Sequence, residues 1–187
     1  MTTLVYLMNV SLDGYAAATD GGLDWTTINE DVHSWFNEET RRANAFLYGR
    51  RLYELMAAYW PTAESDPAAT PAMLEFAPLW RDTPKVVFSS TLESVAWNGR
   101  LVRGDPVDEL ARIAAEFPGE VSVGGPTLAT PFIERGLVDE YRLMVHPVLL
   151  GSGLPFFPRL ERPLGLELIE TRPFDGGVVL LAYRARR

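Results

Sequence analysis

The chain has 187 residues, no cysteine, a formal charge of −8, and 47% apolar against 22% charged residues, the balance of one globular domain spanning 1–187. Without cysteine there are no disulfides, thiolate metal sites or cysteine nucleophiles, and the acidic balance argues against a nucleic-acid surface. No run reaches the roughly 18 apolar residues of a membrane span, and the first ten residues lack a signal-peptide pattern, so the expectation is a cytoplasmic protein with no membrane partner.

Leu4–Val10 reads as a core strand that ends in the turn Ser11-Leu12-Asp13-Gly14. Val32, Trp35 and Phe36 follow helical spacing between 29 and 43, and Ala45–Tyr48 is a short strand stopping at Gly49. A helix follows over Leu52–Tyr59. Five prolines between 60 and 84 mark that stretch as a surface excursion, with one short helix around Met73–Phe76. Lys85–Phe88 is a strand followed by Ser89-Ser90-Thr91. Leu101–Arg103 is a strand, Val107–Glu116 a helix, Val121–Val123 a strand, and Thr127–Arg135 a helix that Pro131 should kink or shorten. Strands then dominate, over 141–150, 166–171 and 178–184, the last two joined as a hairpin through Phe174-Asp175-Gly176-Gly177. Alternating strands and helices predict an α/β fold with a mainly parallel sheet, helices on both faces and an antiparallel C-terminal edge.

Gly124-Gly125-Pro126-Thr127 joins a strand to a helix whose first amides would face an anion such as a pyrophosphate. Taken alone, a tight strand-to-helix joint accounts for it better. Gly49-Arg50-Arg51 stands where an open α/β sheet binds ligands, and either guanidinium could fork onto a phosphate. The bland alternative is two solvated arginines, although positive charge opposes the dipole at a helix start. Ser89, Ser90 and Thr91 could cap a helix or touch a ribose phosphate. Asp13 is by default a turn residue, and otherwise could contact substrate or relay a proton. His33 and His146 lack a paired ligand pattern, so no metal is expected. Lys85 is the only lysine, which leaves little room for Schiff-base chemistry.

The order of these turns is more telling than any one of them. Ser-Leu-Asp-Gly, Gly-Arg-Arg-x-Tyr-Glu, Pro-Lys-x-Val-x-Ser-x-Thr-Leu, Val-Gly-Gly-Pro, Val138-Asp-Glu-Tyr-Arg142 and Pro147-Val-Leu-Leu-Gly-x-Gly153 together resemble the dihydrofolate-reductase-like proteins related to the C-terminal reductase domain of the bifunctional riboflavin biosynthesis enzyme. The resemblance implies a three-layer dihydrofolate-reductase-like fold, often a homodimer, and NADPH-dependent reduction of a C=N or C=O bond in a pterin-like or ribosylaminopyrimidine-like substrate. It places Gly124, Gly125 and Pro126 at the pyrophosphate, Arg50, Arg51, Ser89, Ser90 and Thr91 towards the adenosine 2′-phosphate, and Trp25 beside the cofactor, with Gly49 and Thr127 also among the cofactor-binding residues. The chain departs from the family at Leu52, often Thr, and at Ser90, often Arg. It also lacks the family's carboxylate shortly after Glu54 and has no deaminase half. A non-catalytic nucleotide- or pterin-binding protein of the same fold is the alternative.

Overall fold

The computed structural model describes residues 2–186. In chain order the elements are β1 (Thr2–Ser11), β2 (Tyr15–Ala17), α1 (Glu30–Arg42), β3 (Ala43–Gly49), α2 (Arg50–Tyr59), α3 (Pro71–Asp82), β4 (Lys85–Phe88) and β5 (Gly99–Val102). They continue with α4 (Pro106–Glu116), β6 (Gly119–Gly124), α5 (Pro126–Glu134), β7 (Glu140–His146), β8 (Leu154–Pro155), β9 (Leu166–Pro173) and β10 (Val179–Ala185). Eight strands form one sheet in the order β5-β4-β3-β6-β1-β7-β10-β9, and β2 pairs with β8 outside it. β5 through β7 are mutually parallel, while β10 runs antiparallel to both neighbours.

The central strands are apolar on both faces because both faces are covered, as parallel sheets require. On one side Ile113 of α4 and Leu128, Phe132 and Ile133 of α5 pack on Leu4, Tyr6, Leu47, Val121 and Val123. On the other, Val32 and Trp35 of α1 meet Met144 and Leu180, while Tyr53, Phe76 and Trp80 cover Phe46, Tyr48 and Val87. The result is the expected three-layer α/β arrangement, closed by the antiparallel β9–β10 pair.

Four local expectations change. The proline-rich stretch holds a twelve-residue helix, α3, rather than one short turn. Pro71 stands in its first turn, where no N–H is needed, and the Thr70 hydroxyl accepts from Met73 N. α2 begins at Arg50, not Leu52, so both arginines lie in its first turn. Pro131 is carried inside α5, which ends only at Glu134. β7 stops at His146 instead of running to Leu150.

Candidate functional site

Strand register brings most of the expected phosphate-contacting residues to one edge. Tyr48 pairs with Gly124 and Gly49 with Phe88, so Gly49, the last residue of β3, stands at the same edge as Gly125 and Ser89, each one residue past the ends of β6 and β4. Two of these residues begin helices. Gly49 is the N-cap of α2 and Gly125 that of α5, neither helix has a side-chain cap, and neither carries an acid in its first turn. First-turn amides have no partner within their own helix, so two positive helix ends meet at one crevice. Gly125 has φ +94, and a Cβ built there would have no heavy atom within 4 Å. The main chain is therefore bare to an approaching ligand. The Gly125 amide rests on the Met8 sulfur at 3.3 Å.

The flanking loop is held by its own hydroxyl and by an arginine that sequence reasoning missed. Ser89 Oγ accepts from the amides of Thr91 and Leu92 at 3.1 and 3.0 Å. Arg103, just past β5, donates to the carbonyls of Ser90 and Leu92 at 2.9 and 2.7 Å. Arg50 lies 3.6 Å from Glu54 on the same helix, and Arg50 and Arg51 are both exposed. Arg50 and Arg51 thus open α2 directly after Gly49, and Arg103 holds the loop after β4.

A cavity of about 230 Å³ lies behind this edge, between the sheet and α1, α2 and α3. Its walls include Leu7, Phe36, Phe46, Tyr48, Leu52, Met56, Trp60 and Phe76, and it ends on Met8 and Gly124, beside the bare Gly125. A Cβ on Gly124 would come within 2.5 Å of Leu52 Cδ2 and 3.2 Å of the Tyr48 ring, so glycine lets α2 close down there. Leu52 in place of the family's frequent Thr makes this wall apolar. Among the described residues, the polar side chains of its lining are Asn9, His33, Glu39, Thr40, Glu120 and Ser122, besides the Tyr48 hydroxyl and Trp60 indole.

These polar groups are fixed by partners far along the chain. Arg142, 11% exposed, donates to Glu39, Glu120 and Glu140. Burial pushes the Glu39 carboxyl up, against the opposing pull of Arg142 and Arg42. His146 is 0% exposed. Its Nδ1 accepts from Thr27 N at 3.0 Å and its Nε2 lies 2.9 Å from Asn9 Oδ1, so Nε2 carries the proton and donates to Asn9. That leaves the Asn9 NH2 group free to face the cavity. Burial lowers the His146 pKa to about 4, which keeps the ring neutral at pH 7.

Trp25 and Asp13 stand apart from the phosphate edge. Trp25 donates its indole N–H to Gly22 O at 3.1 Å and sets its ring edge-on to His146 with centroids 5.5 Å apart, at the β7 end of the sheet. Asp13 accepts from Ser11 Oγ at 2.6 Å, Leu150 N at 3.1 Å and Gly151 N at 2.7 Å. The Ser11 hydroxyl first, then the two amides, hold its carboxyl below the usual range. Asp13 does not line the cavity. The structure uses it to tie the first turn to the 149–153 loop.

The sheet order, the three layers and this edge define the chain as having the dihydrofolate-reductase-like reductase fold. Across 99% of this chain and 97% of the other, the structure superimposes on a dihydrofolate reductase from Enterococcus faecalis complexed with NADP(H), with a TM-score of 0.67 and 16% identity. A structure from Shewanella sp. PV-4, named for riboflavin biosynthesis, matches over 100% of both chains with a TM-score of 0.78 and 26% identity. The chain belongs to the RibD C-terminal domain family, whose model matches residues 2–180. The uncharacterized protein YyaP of Bacillus subtilis (strain 168) is 32% identical over 175 residues, 93% of this chain and 90% of that protein.

Proposed function

We propose that the chain is an NADPH-dependent oxidoreductase that reduces a C=N or C=O bond of a heterocycle seated in the α1–α2–α3 cavity. One observation carries the reading: the cavity ends on Gly124, next to the bare Gly125 where two uncapped helix ends converge. A pyrophosphate suits that cradle, because it offers amides and positive dipole ends with no side chain in the way. Gly49, Gly124, Gly125, Pro126 and Thr127 would hold it. Arg50, Arg51 and Arg103, with Ser89, Ser90 and Thr91, would take the 2′-phosphate, Arg103 compensating for serine at 90. Trp25 would border the nicotinamide end.

When bound, the cofactor supplies a hydride. The chain's own task is to hold the acceptor carbon close and keep water out, which the walls Phe46, Tyr48, Leu52 and Trp60 serve. A proton must also reach the product. Asp13, the sequence-based candidate, acts in this proposal through the loop it clamps. Glu39 is the better placed acid, lining the cavity with a carboxyl that burial keeps more readily protonated.

Calorimetric titration with NADPH and NADH tests the reading. Binding of NADPH well above NADH is expected, and each of Arg51→Ala and Arg103→Ala should cost NADPH about 1.5–3 kcal/mol while leaving NADH nearly unchanged. No binding of either dinucleotide at millimolar concentration refutes it.

A further inference from the structure

The charged side chains lining the cavity are all of one sign. Among the described residues that line it there is no lysine or arginine, and two are glutamates, Glu39 and Glu120. The guanidinium that pairs with both of them, Arg142, is already divided among three carboxylates, those of Glu39, Glu120 and Glu140. Arg42 and Arg184 join from the rim of this cluster but are 59% and 57% exposed, where water screens them. With Glu39 holding its proton as the acid, the buried part of the cluster still has two carboxylates, Glu120 and Glu140, to one guanidinium.

The remaining polar groups, the Asn9 amide and the Thr40 and Ser122 hydroxyls among them, are uncharged, and His33 adds an acceptor. Asn37 spends both amide hydrogens on Ala72 O and Glu75, so its Oδ1 takes the proton of His33 Nδ1 at 3.3 Å. His33 Nε2 is left unprotonated. The rim residues Ile28 and Leu55 are apolar and exposed, and give an anion nothing to meet at the entrance. About 150 Å³ of apolar space suffices for one benzene ring, so this cavity suits one or two fused rings.

We propose that the cavity takes a flat, largely apolar ring compound bearing amine or ring N–H donors, neutral or cationic, and carrying no phosphate or carboxylate. The inference rests on the cavity being the substrate site and takes that reading further. Of the heterocycles that the family suggests, it sets aside any whose phosphate must enter the cavity.

Matched naphthalene probes test it: 1-naphthylmethylamine, 1-naphthylmethanol and 1-naphthylacetate, titrated into the whole chain at pH 7 with and without NADPH. Amide shifts at Thr40 and Ser122 and the Trp60 indole signal report where each probe sits. With unit charges some 6 Å apart at an effective dielectric near 20, the amine should bind on the order of a hundredfold more tightly than the alcohol, and the acetate more weakly than the alcohol by about the same factor. The alcohol should fall between them, and Glu120→Gln should narrow the gap about tenfold. Acetate binding as tightly as the amine, shifts away from the cavity, or no binding by any probe overturns the proposal. The wild-type comparison stands by itself if the Glu120 variant does not fold. The two readings fail separately. If NADPH does not bind but the amine enters the cavity, the reductase reading falls and the charge selectivity holds. If NADPH binds and the acetate matches the amine, the reverse is true.

Discussion

Lowering the pH from 7 to 5 should weaken the fold through His146 in particular. Its folded pKa is about 4, against roughly 6.5 in an unfolded chain. Between those values the unfolded chain binds a proton that the native state refuses, so stability falls as pH falls through the window and is lost in full only below about 4. The physical cause is geometric. A proton on Nδ1 would point at the Thr27 N–H, which Nδ1 now accepts, setting donor against donor on a ring that is 0% exposed. Two-state linkage with these pKa values gives a loss of about 2 kcal/mol between pH 7 and 5. Urea unfolding at both pH values, on wild type and His146→Gln, measures it. Gln is uncharged at either pH, so the variant starts less stable but should lack this part of the slope. His33, whose pKa burial also lowers, and the carboxylates contribute to both proteins and cancel. Equal losses in wild type and variant, or an NMR titration of the His146 ring near 6.5, would refute the reasoning.

Lys85→Met should cost about 2–4 kcal/mol by urea unfolding, because Lys85, 1% exposed, donates to the carbonyls of Trp80, Thr83 and Trp97 and tethers the end of α3 to the turn before β5. A loss below 1 kcal/mol would mean water replaces the ammonium. Asp13→Asn should speed hydrogen exchange at the Leu150 and Gly151 amides while leaving the pH profile of turnover unchanged. A shifted profile would return Asp13 to the chemistry. The homodimer implied by the resemblance is proposed to form along β9, which is exposed over most of its length with Leu168 53% exposed and leaves an open sheet edge. Light scattering should give a dimer for wild type and a monomer for Leu168→Lys, and an unchanged dimer would move the interface elsewhere.

The parts of this structure that were legible in sequence are those whose cause is local. Leu4–Val10, Lys85–Phe88 and Val121–Val123 read as strands because a parallel sheet covered on both faces demands unbroken apolar runs. The Gly124-Gly125-Pro126 turn was visible because positive φ and a donor-free helix start each ask for one residue type. α3 is longer than the sequence suggests because five prolines mark the stretch as a surface excursion with one short helix, whereas Pro71 stands where a helix tolerates it. The cavity was missed altogether, since its residues come from separate elements between Leu7 and Gly124 and form no motif. His146 looked solitary because its partners Thr27 and Asn9 lie 119 and 137 residues away. A signal was nevertheless present. Glu120, Ser122 and Gly124 alternate through an otherwise apolar strand, and Arg142 breaks another at its middle. Polar side chains at period two inside a doubly covered sheet cost too much to be there without partners.

The bare Gly125 turn has a consequence for how such a chain can change over time. Its cradle is made of main chain, so it is inherited with the backbone path and survives nearly any replacement of the surrounding side chains that preserves the turn. The cavity beside it is made largely of side chains, from three helices and the sheet beneath them, and can be rebuilt one residue at a time. A lineage organised this way keeps one half of its chemistry by default and is free to explore the other. Proteins sharing this architecture at 16% identity are therefore better compared by what fills the cavity than by what lines the turn.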